Sequence, residues 1–450
     1  MKKQLFTLVF LSFLFYSGFS FSQSIENLID YPNQINSISV LSANDIRILT
    51  STGEIFKTDN LFRNFELVCQ NSKFGFDFIF SDEISGYCLG FGDEIFSTGD
   101  AGRIWDSTII NRKSRTVYAL TNMLVLSRDE LLVCGIRYNN VINNHTDINN
   151  YSGVIVRISE GEVSEVFSSP KSSVNRIYTI ENICYAAGSA NLILKSTDRG
   201  LTWITLTTKS DCVYNDIFFL NESTGYFVGS KNDAGIITYT YDGCRKWTSK
   251  EIPNSALRSV YAFNMDSIVL IGDDNKIFCT INGCRNFSKT ALNKDLNTSL
   301  HNFYPIDGRN LLFLATHIIE DENNEIVNSS TTIYKLNPER FFSEYSLKLS
   351  RELYRNDLLA FMKTAAEDRA TTEHPASKIE NIEMTKIGEK TDSDNTHTEE
   401  NEYTVKMKGS ILGINEFVLK IRVTGKLEFD ILGTPKYSAK EIKVIQDRKL

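Results

Sequence analysis

From about residue 37 to residue 342 the apolar residues fall in short runs, unbroken or alternating with polar ones, and no stretch shows the three-to-four spacing of an amphipathic helix. Residues 77–90 and 215–229 share one layout: an apolar run meets a polar turn, and Gly-Tyr-x-x-Gly then opens a second run. A third short run follows (Ile95-Phe96, Ile193-Leu194, Ile236-Ile237, Ile277-Phe278), then a turn, then a fourth. Four short strands in every ~40–45 residues is the period of a propeller blade. The first strand of each unit is predicted near Ser37, Phe76, Val117, Val174, Tyr214, Leu257 and Leu300, which gives seven units. The fold expected is all-β, a seven-bladed β-propeller over 23–345.

Beyond about residue 343 the pattern changes. Residues 346–369 predict a helix with Leu349, Leu353, Leu358, Phe361 and Met362 on or near one face. Residues 379–388 alternate weakly. Residues 389–402 hold six acids and one lysine and are expected to be a solvated loop or linker. Alternation around Tyr403, Val405 and Met407, around Phe417 to Val423, and at Phe429, Ile431, Ile442 and Val444 predicts an antiparallel sheet. Residues 346–450 are thus expected to form a small α+β domain.

The turn between the third and fourth strands recurs as Ser/Thr-x-Asp-x-Gly-x-x-Trp. It reads Thr98, Asp100, Gly102, Trp105 in one unit and Ser196, Asp198, Gly200, Trp203 in another. Thr240, Asp242 and Trp247 keep three positions, with the glycine moved one place forward. Thr280 to Phe287 substitutes Asn and Phe, and Thr58 to Phe65 is a worn copy. The final aromatics fall at 65, 105, 203, 247 and 287, and the third (117–168) and seventh (300–342) units lack the motif. This motif resembles the Asp-box of bacterial sialidases and many other propellers. With the Gly-Tyr-x-x-Gly strand it makes 25–345 most similar to photosystem II stability/assembly-factor-like propellers, which occur in exported proteins of non-photosynthetic bacteria. The resemblance implies a structural turn rather than a catalytic one. The Asp accepts backbone N–H groups, the Gly permits positive φ and the Trp packs beneath. One carboxylate per turn also falls short of a Ca²⁺ shell, and no cofactor is expected.

The chain has 450 residues and a net charge of −8, which argues against a nonspecific nucleic-acid binder. Residues 1–22 read as a secretory signal: Lys2 and Lys3, an apolar stretch from Leu5 to Phe15, and small residues before Gln23. The mature chain is expected to be periplasmic or secreted, without a transmembrane helix. Of eight cysteines, Cys88, Cys134 and Cys184 lie inside apolar runs and read as small buried hydrophobes, while a Cys279/Cys284 or Cys244/Cys284 disulfide stays open. No CxxC spacing supports a zinc site.

Sialidases add an arginine triad, a tyrosine nucleophile and an early Arg-Ile-Pro segment to this fold. No Arg-Ile-Pro occurs here, nor a nucleophile elbow or phosphate loop. The function expected is non-catalytic binding of a protein or glycan, or an assembly scaffold, and the alternative is a glycan-acting hydrolase. Two units carry long loops between their second and third strands, Tyr138–Ser152 and Ile319–Ser330. Asn143, His145, Asp147, Tyr151, Asp321 and Glu322 are therefore candidates for an exposed recognition surface.

Overall fold

The computed structural model describes residues 24–449 apart from 111–115, 140, 143–144, 147–148, 209–210, 293–297, 308–309, 321–325, 394–395, 410–415 and 430–434. Seven four-stranded antiparallel sheets succeed one another along 25–336. Their innermost strands are Ile35–Ser42, Phe74–Phe80, Val117–Ser127, Val174–Ile180, Val213–Phe219, Leu257–Ala262 and Thr298–Asp307. Each touches the next and the last touches the first, so the sheets close a ring. Every innermost strand starts within two residues of its predicted position.

The last blade departs from the predicted unit. Its first three strands are Thr298–Asp307, Asn310–Glu320 and Ile326–Leu336, but its outer strand is Ile25–Tyr31, from the other end of the chain. Ile25 pairs with Leu336 and Tyr31 with Thr331. The seventh unit has no turn motif because it has no connection there to make: after Leu336 the chain leaves as a helix. The third blade lacks the motif for another reason. Its outer strands, Tyr151–Ser159 and Glu162–Pro170, are joined by a two-residue turn in which Glu160 and Gly161 both take positive φ.

The two glycines of Gly-Tyr-x-x-Gly make room for the first strand beside them. A Cβ on Gly225 would stand 2.3 Å from the Phe219 ring, and one on Gly229 would stand 1.9 Å from the Val213 carbonyl oxygen. The tyrosine between them reaches the next blade: Tyr226 donates to Met265 O at 3.4 Å, and Tyr87 donates to Arg128 O. All eight cysteines are free thiols, seven of them buried. Cys134 on the second strand of its blade is fully enclosed, and burial pushes its thiol up to about 12.

The helix spans Pro338–Glu373, eight residues earlier than predicted at its start. Pro338 opens it and the Asn337 side chain caps it by accepting the Arg340 N–H. Phe341 in its first turn is buried in the core shared by the sixth and seventh blades, which ties the helix to the propeller. Further along, Leu358, Met362, Ala366 and Ala370 lie four residues apart on one face and cover a meander of four strands. Those strands are Ser377–Ser393, Thr396–Gly409, Glu416–Phe429 and Pro435–Lys449.

The acidic stretch 389–402 is therefore not a solvated loop; all of it but 394–395 lies in the first hairpin of this sheet. Its residues alternate. His397, Glu399 and Asn401 turn inward and are buried, with Asn401 Nδ2 donating to Glu399 Oε1 at 3.1 Å. Glu400 and Glu402 turn outward to Arg422 on the neighbouring strand at 3.4 and 2.8 Å. Cross-strand pairing of opposite charge lets this polar sequence hold a ladder.

Candidate functional site

The eight-residue turns share one hydrogen-bond pattern. The hydroxyl at position 1 accepts the N–H of position 5: Thr58 from Phe62 at 3.1 Å, Thr98 from Gly102 at 3.0 Å, Ser196 from Gly200 at 2.8 Å, and Thr240 from Cys244 at 3.0 Å. The side-chain oxygen at position 3 accepts the N–H of position 7, from Asp100 to Ile104, Asp198 to Thr202 and Asp242 to Lys246. Asn60 and Asn282 accept equally well, at 3.0 Å, so the worn copies keep the geometry. Positions 4 and 5 both take positive φ, for example 67° and 91° at Ala101 and Gly102, or 71° and 73° at Gly243 and Cys244. Glycine suits either place, which explains why it shifts by one between copies. Trp105 donates Nε1 to Gly102 O and packs against Phe74 and Phe80.

These bonds set the acidity of the aspartates. The Ile104 N–H holds Asp100 below the usual carboxylate range, and the Lys246 N–H does so for Asp242. The Thr202 hydroxyl and N–H bring Asp198 down to about 2. The turns also dock the blades. The position-4 carbonyl of three turns accepts from a cation of the preceding blade: Ala101 O from Arg47 at 3.4 Å, Arg199 O from Arg157 at 2.6 Å, and Gly243 O from Lys195 at 3.4 Å. Arg47 is the strongest clamp. It is 1% exposed, meets both oxygens of Asp45, donates to Glu83 O at 2.7 Å and lies 3.7 Å over the Phe80 ring.

Around the axis the seven innermost strands share an irregularity that the sequence reading missed. Each has a bulge near its start. At its far end or just past it stand Ser37, Asp77, Asn122, Arg176, Asp216, Ser259 and Asn302, one per blade and all polar. They bridge neighbouring blades. Ser37 and Asn122 both donate to Asp77 at 3.0 Å, and Ser259 donates to Asp216 at 2.7 Å. Asn122, Asp216 and Ser259 accept the N–H of Ile177, Val260 and Phe303 in the following blade. The bulge frees an N–H, and the neighbour's side chain satisfies it.

Arg176 has no acceptor to offer and sits 3.0 Å from Asp216, with Asp77 also acting on its charge. Burial opposes the guanidinium charge, but the two carboxylates outweigh it and hold its pKa up. Burial raises Asp77 against the pull of Arg176 and three hydrogen-bonding groups. Two residues further along the strands the ring turns apolar and half-exposed, with Ile79, Leu124, Tyr178, Phe218, Tyr261 and Tyr304. Tyr178, Phe218 and Tyr261 pack across blades as tilted rings, with centroids 5.9 and 4.6 Å apart. The signal that would have exposed the girdle is a polar residue recurring just before each innermost apolar run.

Four of the seven bulge residues donate across blades. Asn36, Asn175 and Asn215 reach the carbonyls of Gly75, Tyr214 and Leu257 at 3.0, 2.8 and 2.8 Å, and Thr121 reaches Val174 O at 3.4 Å. In the sixth and seventh blades the bulge residues Arg258 and His301 bond within their own blades, to Asp273 and Thr316. Only the second blade has no polar side chain at this position. Its bulge residue is Phe76, 60% exposed, edge-on to the 53% exposed Phe91 at 5.5 Å. Phe91 lies in the loop between the second and third strands of the same blade, so the pair belongs to the face that carries the predicted long loops.

On that face the third-blade loop folds into a small hairpin, Val141–Ile142 with His145–Thr146. His145 stands in its second strand, and Asn143 and Asp147 lie outside the described residues, as do Asp321 and Glu322 of the seventh blade. Tyr151 is not a loop residue. It pairs with Tyr138 in the blade ladder, half-buried, their rings 6.4 Å apart.

The ring of four-stranded sheets defines the chain as a β-propeller. Among solved structures it is similar to YCF48 from Cyanidioschyzon merolae, at 10% identity over 70% of this chain and 99% of that one, with a TM-score of 0.51. A structure of YCF48 bound to a D1 peptide matches 68% of this chain and 95% of that one at 11% identity and a TM-score of 0.49. BamB from Moraxella catarrhalis matches 68% and 86% at 11% identity and a TM-score of 0.42. Such identities show the fold alone. No family model matches the chain, and no curated protein matches it. No helix among the described residues is long and apolar enough to cross a membrane.

Proposed function

We propose that this chain is an exported, non-catalytic propeller of the Asp-box type that binds a protein partner on its long-loop face, around the second and third blades. The carrying observation is Phe76. It occupies a position that four other blades use to tie themselves to a neighbour, yet it makes no such bond and stands 60% exposed beside Phe91. An exposed aromatic at a position that is polar in the other six blades (Asn36, Thr121, Asn175, Asn215, Arg258, His301) points to a function that compensates for it. The two rings meet at 88°, which presents an edge and a face rather than the flat platform a sugar ring stacks on, so a protein side chain is favoured over a glycan. The axial channel supports the same reading over a sialidase-like site, because its arginine is neutralised by Asp216 and Asp77 instead of being one of a cluster.

Affinity capture from envelope extracts tests the proposal, comparing the natural chain with Phe76→Ser/Phe91→Ser. The double variant is expected to keep its thermal midpoint and lose the captured protein. Capture unaffected by the substitutions, or a bound glycan that the chain cleaves in a hydrolase panel, would overturn it.

A further inference from the structure

The C-terminal sheet has one face covered by the helix and one face open. On the open face, at the end near Gly409, five exposed cations stand together: Lys378, Lys406, Lys408, Lys420 and Arg448. Register places them across all four strands. Lys378 is opposite Lys408, Lys406 opposite Val418, Val418 opposite Arg448, and Lys420 opposite Thr404. A like-charge pair such as Lys378 and Lys408 weakens a ladder, so the fold gives no reason for it. The acids nearby are Glu380, 3.9 Å from Lys408, Glu383 one strand away, Glu416 opposite Lys408 in register, and Glu402, which acts on Lys420 but is paired with Arg422 at 2.8 Å. Positive charge therefore prevails at this corner, in a chain whose net charge is −8.

We propose that this open sheet face docks on an anionic phospholipid bilayer. Three observations favour a bilayer over other polyanions. The cations spread over a plane about 14 Å wide, the span of four strands, with no enclosing walls. Four of the five are lysines, which attract charge without the fixed fork that arginine offers to a particular phosphate or carboxylate. Among the described residues no aromatic ring projects on this corner, where a nucleic-acid surface would stack bases. Mobile lipid headgroups can rearrange beneath such a spread, each basic residue near the surface strengthening the attraction.

The experiment is co-sedimentation of the full chain with vesicles of pure phosphatidylcholine and of phosphatidylcholine containing one-third phosphatidylglycerol. Binding is expected to the anionic vesicles alone, to fall at least about tenfold in Lys406→Glu/Lys420→Glu, and to vanish in 0.5 M salt, where the screening length shortens to a few ångströms. Lys443→Glu on the same face, outside the corner, tests folding and general charge together, and should retain most of the binding. Equal binding to both vesicles, an unchanged double variant, or binding to duplex DNA in preference to anionic vesicles would overturn the proposal.

Discussion

Arg47 gives the sharpest test of how the blades are joined. Replacing it with Met keeps much of its stem over Phe80 and removes the guanidinium. The Glu83 and Ala101 carbonyls lose their cationic donor, and Asp45 loses two contacts while keeping Lys57 at 2.8 Å. Hydrogen bonds to a charged group contribute about 1.5–3 kcal/mol each at full strength. The Ala101 bond at 3.4 Å counts for less, and the retained methylenes offset part of the loss. Arg47→Met is thus expected to destabilise by about 4 kcal/mol, within the 3–5 of a broken buried pair. Lys57→Met removes a cation from the same carboxylate, but one 35% exposed, and should cost below about 1 kcal/mol. Equilibrium urea unfolding followed by tryptophan fluorescence measures both, since Trp105 packs on the Phe80 ring under Arg47. If the two variants unfold within 1 kcal/mol of each other, the clamp does not join the blades as described.

Two further predictions concern the repeats. The folded pKa of Asp198 is depressed to about 2, so its stabilising effect is present above the unfolded value near 4 and is lost as pH falls from about 4 through 2. Asp198→Asn introduces the residue type that already accepts the same N–H at Asn60 and Asn282, so the variant should fold normally at pH 7. Its thermal midpoint should fall less steeply over that acid range. Gly229→Ala forces a Cβ to 1.9 Å from the Val213 carbonyl and should lower stability by more than about 3 kcal/mol, whereas Gly92→Ala, at φ 92° but with nothing within 4 Å, should cost about 1 kcal/mol. Thermal unfolding of the two side by side separates crowding from backbone strain.

The blades were legible because their signals are local. A glycine that must clear a bulge, a hydroxyl that must cap a turn and an aromatic that must sit under it all fall within one stretch of chain, and they recur. The outer strand of the seventh blade was not legible because Ile25–Tyr31 finds its partner at the far end of the ring, and no neighbouring residue announces that pairing. The acidic hairpin was misread for a related reason. Glu400 and Glu402 look solvated until Arg422 is placed beside them, and Glu399 gives no sign that it faces inward. The axial girdle was present in the sequence as isolated polar residues, and only the superposition of seven bulges makes it a set. Phe76 stands out against that set and not against its own neighbours.

The strand Ile25–Tyr31 also fixes an order of events as the chain is made. It emerges first, but its partner strand follows roughly three hundred residues later, so it stays single until nearly the whole propeller has been synthesised. Closing a loop of that length costs about 5 kcal/mol of chain entropy by the logarithmic rule. Ile25, Leu28, Ile29 and Tyr31 offset it by packing against the cores on either side of the seam. Ring closure is thereby a late and separable step. The seam between the seventh blade and this strand is where a nascent propeller stays open longest, and where a chaperone or a second chain could intercept it.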